Sequence, residues 1–173
     1  SSMVGLPGQR NDRHASHIGG ANGFPSRSID CRERNSENMD GNGAPTVMLV
    51  DDCPANRCLF DKLLVKDGFV TVHAVNGKEA VEMATTQPPH VIIMDIMMPV
   101  MDGLEATRRL RADSRTARVP IIIVSAKTDK DDLTAGLAAG ADEYLFKPIH
   151  SREFRLRVRS MVRLREAQLD RHG

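Results

Sequence analysis

The chain reads Val47-Met48-Leu49-Val50-Asp51-Asp52 at the start of its most apolar part, an unbroken apolar run that ends in two acids. Continuous runs of this kind are typical of strands that a parallel sheet buries on both faces. Four more apolar runs follow, and segments with helical periodicity lie between them. The pattern predicts an α/β fold of (βα)5 type, a doubly wound parallel five-stranded sheet with strand order 2-1-3-4-5. The predicted strands are 47–50, 70–74, 91–94, 121–124 and 144–146, and the predicted helices are about 55–66, 77–85, 103–111, 129–139 and 150–169.

Composition divides the 173 residues into two parts. Residues 1–45 contain 11 apolar residues and 21 that are Gly, Pro, Ser or Asn, too few apolar side chains to offset the entropy cost of ordering. We therefore expect a disordered leader, in which Ser1-Ser2 before Met3 is typical of residues left by cloning. Residues 46–168 form the predicted folded domain, and 169–173 form a tail or the start of a linker to a missing output domain.

Bulk properties exclude several classes of function. A formal net charge of +1 provides no global field that attracts nucleic acid or anionic lipid. No apolar run is long enough to span a membrane and no stretch reads as a secretion signal, so we expect a cytoplasmic protein without direct nucleic acid or membrane contacts. Cys31, Cys53 and Cys58 lie outside any CxxC or zinc pattern, which predicts free thiols and no structural metal.

Polar side chains follow four of the predicted strands. Asp51 and Asp52 come directly after the first strand, and Asp95 comes after the third. Ser125 follows the fourth strand and Lys147 the fifth. Ligand chemistry in open parallel sheets collects at the carboxyl ends of the strands, and neighbouring strands lie about 4.8 Å apart. We therefore expect these five side chains to converge on one pocket.

The chemistry of this set points to phosphoryl transfer. Three crowded carboxylates repel one another unless a cation is present, and carboxylate, water and phosphate oxygens are the ligands that Mg²⁺ prefers. Ser125 offers a donor and Lys147 a positive charge for phosphoryl oxygens. Because no glycine-rich nucleotide loop accompanies them, the residues predict covalent chemistry, in which a carboxylate attacks a phosphoryl donor and becomes an acyl phosphate.

Four segments, in this order, resemble the receiver domain of two-component response regulators over about residues 46–168. The resemblance implies a flavodoxin-like fold and a signalling domain, not an enzyme, that takes a phosphoryl group from a sensor histidine kinase or a histidine phosphotransfer protein. It also implies Mg²⁺ as the cofactor, with Mn²⁺ as a substitute. The segments are Asp51-Asp52, Met94-Asp95-Ile96-Met97-Met98-Pro99-Val100-Met101-Asp102-Gly103, Ser125-Ala126 and Lys147-Pro148.

The resemblance assigns a role to each acid. Asp95 is the implied phosphoacceptor and one of the metal ligands. Asp52 is implied to bind the metal directly, and Asp51 mainly through a bound water. The backbone carbonyl of Met97 is the implied third oxygen ligand from the protein.

The resemblance also implies a switch. Ser125, Ala126 and Lys147 are the implied phosphoryl-binding residues, with the small side chain of Ala126 leaving room for the donor. Tyr144 is implied to turn inward when the Ser125 hydroxyl is drawn to the phosphate. The bond before Pro148 is expected to be a cis peptide. The switch would reorganise the face made by helix 4, strand 5 and helix 5, through which family members often form homodimers.

Simpler interpretations compete with some of these roles. An acid after a strand is usually a solvated turn residue, and Tyr144 is equally consistent with ordinary strand packing. Asp102-Gly103 is interpreted only as a turn and helix cap. Cys53 and Cys58 are expected to be buried and inert rather than redox-active.

Met97 affects two further expectations. It lies two positions after Asp95, beside the water that would hydrolyse the acyl phosphate, and its apolar side chain predicts a long-lived phosphoryl state. The same position weighs against the alternative function, a Mg²⁺-dependent aspartyl-phosphate phosphatase or phosphotransferase, which requires an acid there and a cap over the substrate. A third hypothesis is a receiver-like domain that never takes phosphate. An output enzyme, for example one for cyclic-dinucleotide turnover, would lie outside this chain.

The remaining charged residues receive structural interpretations. The last helix has an excess of arginine, which we expect on its solvated face because apolar residues occupy the buried stripe. His73, His90 and His150 are expected at the surface or at strand edges.

Overall fold

The structure of the chain is a computed structural model that describes residues 43–172. Residues 1–42 of the predicted leader, Cys31 among them, and Gly173 lie outside the described residues. Five strands alternate with five helices in the described part. The strands are β1 Thr46–Val50, β2 Val70–Ala74, β3 Val91–Met94, β4 Ile121–Ser125 and β5 Glu143–Phe146. The helices are α1 Pro54–Lys66, α2 Gly77–Thr86, α3 Gly103–Ala112, α4 Lys130–Ala139 and α5 Ser151–Asp170.

All five strands are parallel and form one sheet in the order β2-β1-β3-β4-β5. In the middle of the sheet, Val50 of β1 is in register with Ala74 of β2 and with Met94 of β3. This arrangement confirms the predicted fold class and strand order. Each helix begins and ends within one residue of its predicted boundary.

The sheet separates two apolar cores because successive strand residues point to opposite faces. Met48 and Val50 pack with residues of α2 and α3 on one face, whereas Val47 and Leu49 pack with residues of α1 and α5 on the other. Every residue of β3 and β4 is buried, as expected for central strands covered on both sides.

Helix α3 begins at the predicted cap. Asp102 Oδ1 accepts a hydrogen bond of 2.8 Å from the Glu105 backbone amide, which satisfies one of the free donors of the first turn. At the other end of the domain, Gly140 ends α4 with φ of 109°, in the left-handed region that favours glycine.

Two expectations about single residues are wrong. His73 is buried, and its Nε2 lies 3.1 Å from Oδ1 of Asp61 on α1, because the second strand turns this side chain under that helix. Cys53 and Cys58 are free thiols but are only half-buried, since α1 leaves part of its first turns open to solvent. Between residues 43 and 172, no helix is long and apolar enough to cross a membrane.

Candidate phosphoryl and metal site

Three carboxylates meet at the carboxyl edge of the sheet. Asp51 follows β1, and its amide donates to the Ala74 carbonyl, whereas Asp95 follows β3, and its amide donates to the Val50 carbonyl. One oxygen from each of Asp51, Asp52 and Asp95 lies within 4.8 Å of the other two. Asp51 and Asp95 are buried and Asp52 is exposed. The structure therefore brings together the three acids that were predicted to converge.

The loop into α1 fixes the orientation of Asp51. Its Oδ1 accepts a hydrogen bond of 2.8 Å from the Cys53 amide, and its Oδ2 accepts one of 3.0 Å from Asn56 Nδ2. Its backbone carbonyl accepts a hydrogen bond from the buried guanidinium of Arg57. Sequence reasoning missed Asn56 and Arg57. Pro54 was the available signal, because a helix that starts there places its first turn beside the acids.

Lys147 brings a positive charge to the acids from the end of β5. Its ammonium nitrogen lies 3.2 Å from Asp51 Oδ2 and 3.8 Å from Asp95 Oδ1. The Lys147 amide donates to the Ser125 carbonyl, which joins this loop to β4, and the Lys147–Pro148 bond is cis. When ionised, three carboxylates and one ammonium leave a local excess of negative charge.

Asp95 titrates unusually as a result of its surroundings. Burial of the carboxyl raises its pKa to about 6, although Lys147 opposes this shift. The nearby carboxylates of Asp51 and Asp52 raise the pKa further, whereas a hydrogen bond from the Ile96 amide to Asp95 Oδ1 lowers it. A cation among the acids would favour the ionised form.

Ser125, the last residue of β4, is buried, and β4 pairs with β3. Its hydroxyl oxygen accepts a hydrogen bond of 3.1 Å from the Lys127 amide. Because a hydroxyl accepts and donates at once, the Ser125 hydrogen stays available for another oxygen. Ala126, the next residue, is exposed.

Tyr144 of β5 has a buried ring, 8% exposed, and its hydroxyl donates to the Lys127 backbone carbonyl at 3.2 Å. The ring therefore points inward toward the loop after β4. Ordinary packing and a signalling role both agree with a buried ring that has a hydrogen-bonded tip.

The loop between β3 and α3 was only partly understood from sequence. Asp102 caps α3 as expected, but Gly103 also packs against the end of β3. A Cβ at position 103 would lie 2.0 Å from the Asp95 carbonyl oxygen. Met97 in the same loop is 63% exposed, and Val100 has φ of 68°, an uncommon conformation for a β-branched residue.

The donor set fits a hard divalent cation. Three carboxylates offer oxygens within 4.8 Å of one another, and such oxygens are the protein ligands that Mg²⁺ takes. The single ammonium of Lys147 neutralises only part of their charge. Asp51, Asp52 and Asp95 are thus the residues that could hold the metal.

Known proteins are similar to the part of the chain that carries this site. The model of the response regulator receiver domain matches residues 47–159. The chain is 34% identical over 124 residues to the transcriptional regulatory protein AfsQ1 of Streptomyces coelicolor, covering 72% of this chain and 54% of that protein. It is 40% identical over 122 residues to the transcriptional regulatory protein PrrA of Mycobacterium tuberculosis, covering 70% and 52%. The chain thus spans about half the length of these two relatives.

A shorter relative and two solved structures are similar over most of their own lengths. Protein PilH of Pseudomonas aeruginosa is 38% identical over 103 residues, which is 60% of this chain and 85% of PilH. The receiver domain of the sensor histidine kinase PA1611 from Pseudomonas aeruginosa, solved with a magnesium ion coordinated in its active site cleft, is 33% identical with a TM-score of 0.65, covering 69% of this chain and 98% of that one. The Francisella response regulator 1452 receiver domain is 32% identical with a TM-score of 0.64, covering 69% and 97%.

The family match extends from β1 into α5 and so includes every strand of the sheet and the loops that carry the acids, Ser125 and Lys147. The two transcriptional regulatory proteins are more than 30% identical over 70% or more of the chain. These findings show that the chain belongs to the family of response regulator receiver domains.

Proposed function

We propose that Asp95 accepts a phosphoryl group from a sensor histidine kinase or a histidine phosphotransfer protein. The observation that carries this proposal is the placement of a buried Asp95 carboxyl 3.8 Å from the Lys147 ammonium, within 4.8 Å of two further acids. The buried carboxyl offers the nucleophile, and Lys147 offers charge for the incoming phosphoryl oxygens.

The proposed step is a direct transfer. An oxygen of Asp95 forms a bond to phosphorus while the phosphorus–nitrogen bond to the donor imidazole breaks, and the electron pair of that bond stays on the imidazole. The product is an acyl phosphate on Asp95. Lys147 and the hydroxyl hydrogen of Ser125 stabilise the phosphoryl oxygens, and the exposed Ala126 leaves space for the donor.

The acids and a loop carbonyl would hold the cofactor. We assign Asp52 and Asp95 as direct ligands, Asp51 as a ligand mainly through water, and the Met97 backbone carbonyl as a further oxygen. Mg²⁺, or Mn²⁺ in its place, supplies positive charge that neutralises the acids and the phosphoryl oxygens. The converging carboxylates support this assignment.

Phosphorylation would act on the face of α4, β5 and α5. Ser125 and Tyr144 form the proposed switch, and the Lys127 backbone that both of them contact supports it. A population shift in this face would control a partner, a second copy of the chain or an output domain. We place the protein in the cytoplasm and its receiver unit at 46–168, with 169–173 as a tail or the start of a linker.

The test is stoichiometric labelling with a small acyl phosphate or a phosphorylated kinase in the presence of Mg²⁺. We expect one phosphoryl group per chain, lost on Asp95→Asn and on chelation of the metal. Asp102→Asn is the matched control, because the same substitution seven residues after Asp95 alters only a helix cap that asparagine also provides. Label that persists in Asp95→Asn would contradict the proposal.

The same preparations test the two rival functions. An aspartyl-phosphate phosphatase or phosphotransferase is not favoured, because Met97 occupies the position where such an enzyme needs an acid. Continuous hydrolysis of a small phosphate ester would nevertheless support it. A receiver-like domain that takes no phosphate would show no label with any donor.

A further inference from the structure

Gly136 lies where the Tyr144 ring leaves no space for a side chain. A Cβ at position 136 would lie 2.9 Å from Cδ2 and 3.1 Å from Cε2 of Tyr144, and 3.1 Å from Cδ1 of Ile123. Gly136 is buried in the interior of α4, where glycine disfavours the helix relative to alanine. The contact with the ring gives a packing reason for glycine at this position.

The seated ring is joined to Ser125 through one residue. The Lys127 carbonyl accepts the hydrogen bond from the Tyr144 hydroxyl, and the Lys127 amide donates to Ser125 Oγ. The Lys127 ammonium lies 3.2 Å from Oδ1 of Asp132 on α4. The Lys127 backbone thus connects a phosphoryl-binding hydroxyl to the aromatic ring, and its side chain connects both to α4.

The ring is also joined to the surface. Tyr144 contacts Phe146 with ring centroids 5.0 Å apart, and Phe146 is 40% exposed. Phe146 is the last residue of β5, directly before Lys147. A movement of the Tyr144 ring would therefore change an exposed apolar side chain beside the site.

The two ends of α4 are held differently. At the C-terminal end, Arg111 donates to the Gly140 carbonyl at 2.7 Å and pairs with Asp142 at 2.7 Å. At the N-terminal end, Asp129 makes no side-chain cap hydrogen bond. Because the pair of Lys127 with Asp132 joins this end to the loop that accepts the Tyr144 hydrogen bond, displacement of the ring would move the end of α4 nearer Ser125 more easily than the far end.

We propose that Gly136 is a positioning residue that seats the Tyr144 ring and thereby couples Ser125 to the surface around Phe146. The atoms nearest a Cβ at position 136 belong to Tyr144 and Ile123, so Gly136 acts through the ring. The coupling rests on the proposed phosphoacceptor function, whereas the seating of the ring is tested independently of it.

The test uses Tyr144 as a probe, because the sequence contains one tyrosine and no tryptophan. Fluorine-labelled tyrosine gives a single ¹⁹F resonance, and tyrosine fluorescence reports only this ring. In the parent chain we expect weak quenching by acrylamide and a shifted resonance when Mg²⁺ and beryllofluoride, a phosphoryl mimic, are added. In Gly136→Ala we expect several-fold stronger quenching and a ¹⁹F shift on addition of the mimic reduced to less than half.

The extent of labelling of Asp95 in Gly136→Ala should remain within about twofold of the parent value, since the change lies outside the site. Ala138→Gly, at an exposed position of the same helix, is the control for altered helix propensity and should behave like the parent. Equal quenching of the parent and Gly136→Ala would overturn the proposal that Gly136 positions the Tyr144 ring. An undiminished ¹⁹F shift on addition of the mimic would overturn the coupling between Ser125 and the surface around Phe146. Absence of label on Asp95 would overturn the phosphoacceptor function alone, because quenching needs no phosphate.

A steric double-mutant cycle covers the case in which Gly136→Ala unfolds the chain. If the ring is what the new methyl group meets, then Tyr144→Leu should restore the midpoint of denaturation lost in Gly136→Ala. A double variant as unstable as the sum of the two single changes would overturn the proposal.

Discussion

Gly103 packs so closely on the end of β3 that a Cβ there would lie 2.0 Å from the Asp95 carbonyl oxygen and 2.9 Å from its carbonyl carbon. The Gly103 amide also donates to the Ile96 carbonyl at 3.0 Å. The start of α3 and the end of β3, where Asp95 lies, are therefore in direct backbone contact.

This contact predicts that Gly103→Ala destabilises the fold by about 2–3 kcal/mol, because the opposing atoms belong to the backbone and cannot move aside cheaply. Urea denaturation measures the change. Gly43→Ala is the matched control: its Cβ would meet nothing within 4 Å, so only the strain of its φ of 73° remains, about 1 kcal/mol. Equal losses in the two variants would contradict the prediction.

Asp95 should make stability depend on pH. Its folded pKa of about 6 lies above the ordinary value of 3.8, so the folded state binds the proton more tightly and stability falls as pH rises through this range. We expect Asp95→Asn to be more stable than the parent by about 1–2 kcal/mol at about pH 7.5 without metal, after allowance for solvent screening. The difference should vanish below about pH 4.

Denaturation at a series of pH values measures this difference. Mg²⁺ should stabilise the parent more than Asp95→Asn, because one ligand is lost in the variant. Equal stability of the two proteins at about pH 7.5 would show that burial does not penalise this carboxylate.

Lys147 should oppose metal binding while assisting phosphoryl transfer, since its ammonium lies 3.2 Å from Asp51 Oδ2. We expect Lys147→Gln to bind Mg²⁺ about fivefold more tightly, which corresponds to about 1 kcal/mol of binding free energy. The gain comes from removing the solvent-screened repulsion between the ammonium and the cation. The rate of labelling should fall by about 100-fold, because a preorganised charge for the phosphoryl oxygens is lost.

Calorimetry with Mg²⁺ and the kinetics of labelling measure these two effects of Lys147→Gln. Lys130→Gln, at an exposed position in the first turn of α4, should change neither. Weaker Mg²⁺ binding in Lys147→Gln would refute the predicted competition between the ammonium and the metal.

Asp67 joins the end of α1 to α5, where it pairs with Arg155 and Arg159. The hydrogen bond from Arg155 and the charges of both arginines lower the pKa of Asp67 below its ordinary value of 3.8. The resulting stabilisation is present above about pH 4 and is lost as pH falls through the lowered pKa.

We expect Asp67→Asn to lower the free energy of unfolding by about 1 kcal/mol at neutral pH. This value is small because solvent screens the half-exposed arginines. The loss should shrink in acid and should be visible in urea denaturation. Glu105→Gln, which breaks exposed ion pairs on α3, should have no measurable effect. Equal behaviour of the two variants would refute a special role for Asp67.

Met97 should prolong the phosphoryl state, because its exposed apolar side chain does not hold the water that attacks the acyl phosphate. We expect Met97→Asn to lose label about tenfold faster once the donor is removed, since the carboxamide can position that water. Val100→Asn, which makes the same kind of change at another exposed apolar residue of this loop, should lose label at the rate of the parent. Identical decay in all three proteins would rule out control by position 97.

Much of the fold was predictable because its signals are local. The apolar runs of β3 and β4 are continuous, and both strands are buried on both faces. The rule that parallel strands present ligands at their carboxyl ends then placed Asp51, Asp95 and Lys147 at one edge, where their charged atoms meet.

Contacts between distant segments were not predictable in the same way. Asn56 and Arg57 support Asp51 only because α1 packs its first turn beside the acids. His73 is paired with Asp61 because β2 lies under α1, and no feature of the apolar run 70–74 indicated that partner.

By itself, then, the sequence determined the order of strands and helices and the edge at which the acids and the lysine would gather, because periodicity and strand ends are properties of short segments. Only the tertiary structure decided that Gly103 touches the Asp95 backbone and that Gly136 admits the Tyr144 ring. These are close approaches between segments that packing brings together, and a missing side chain has no meaning until the atom that fills its space is known.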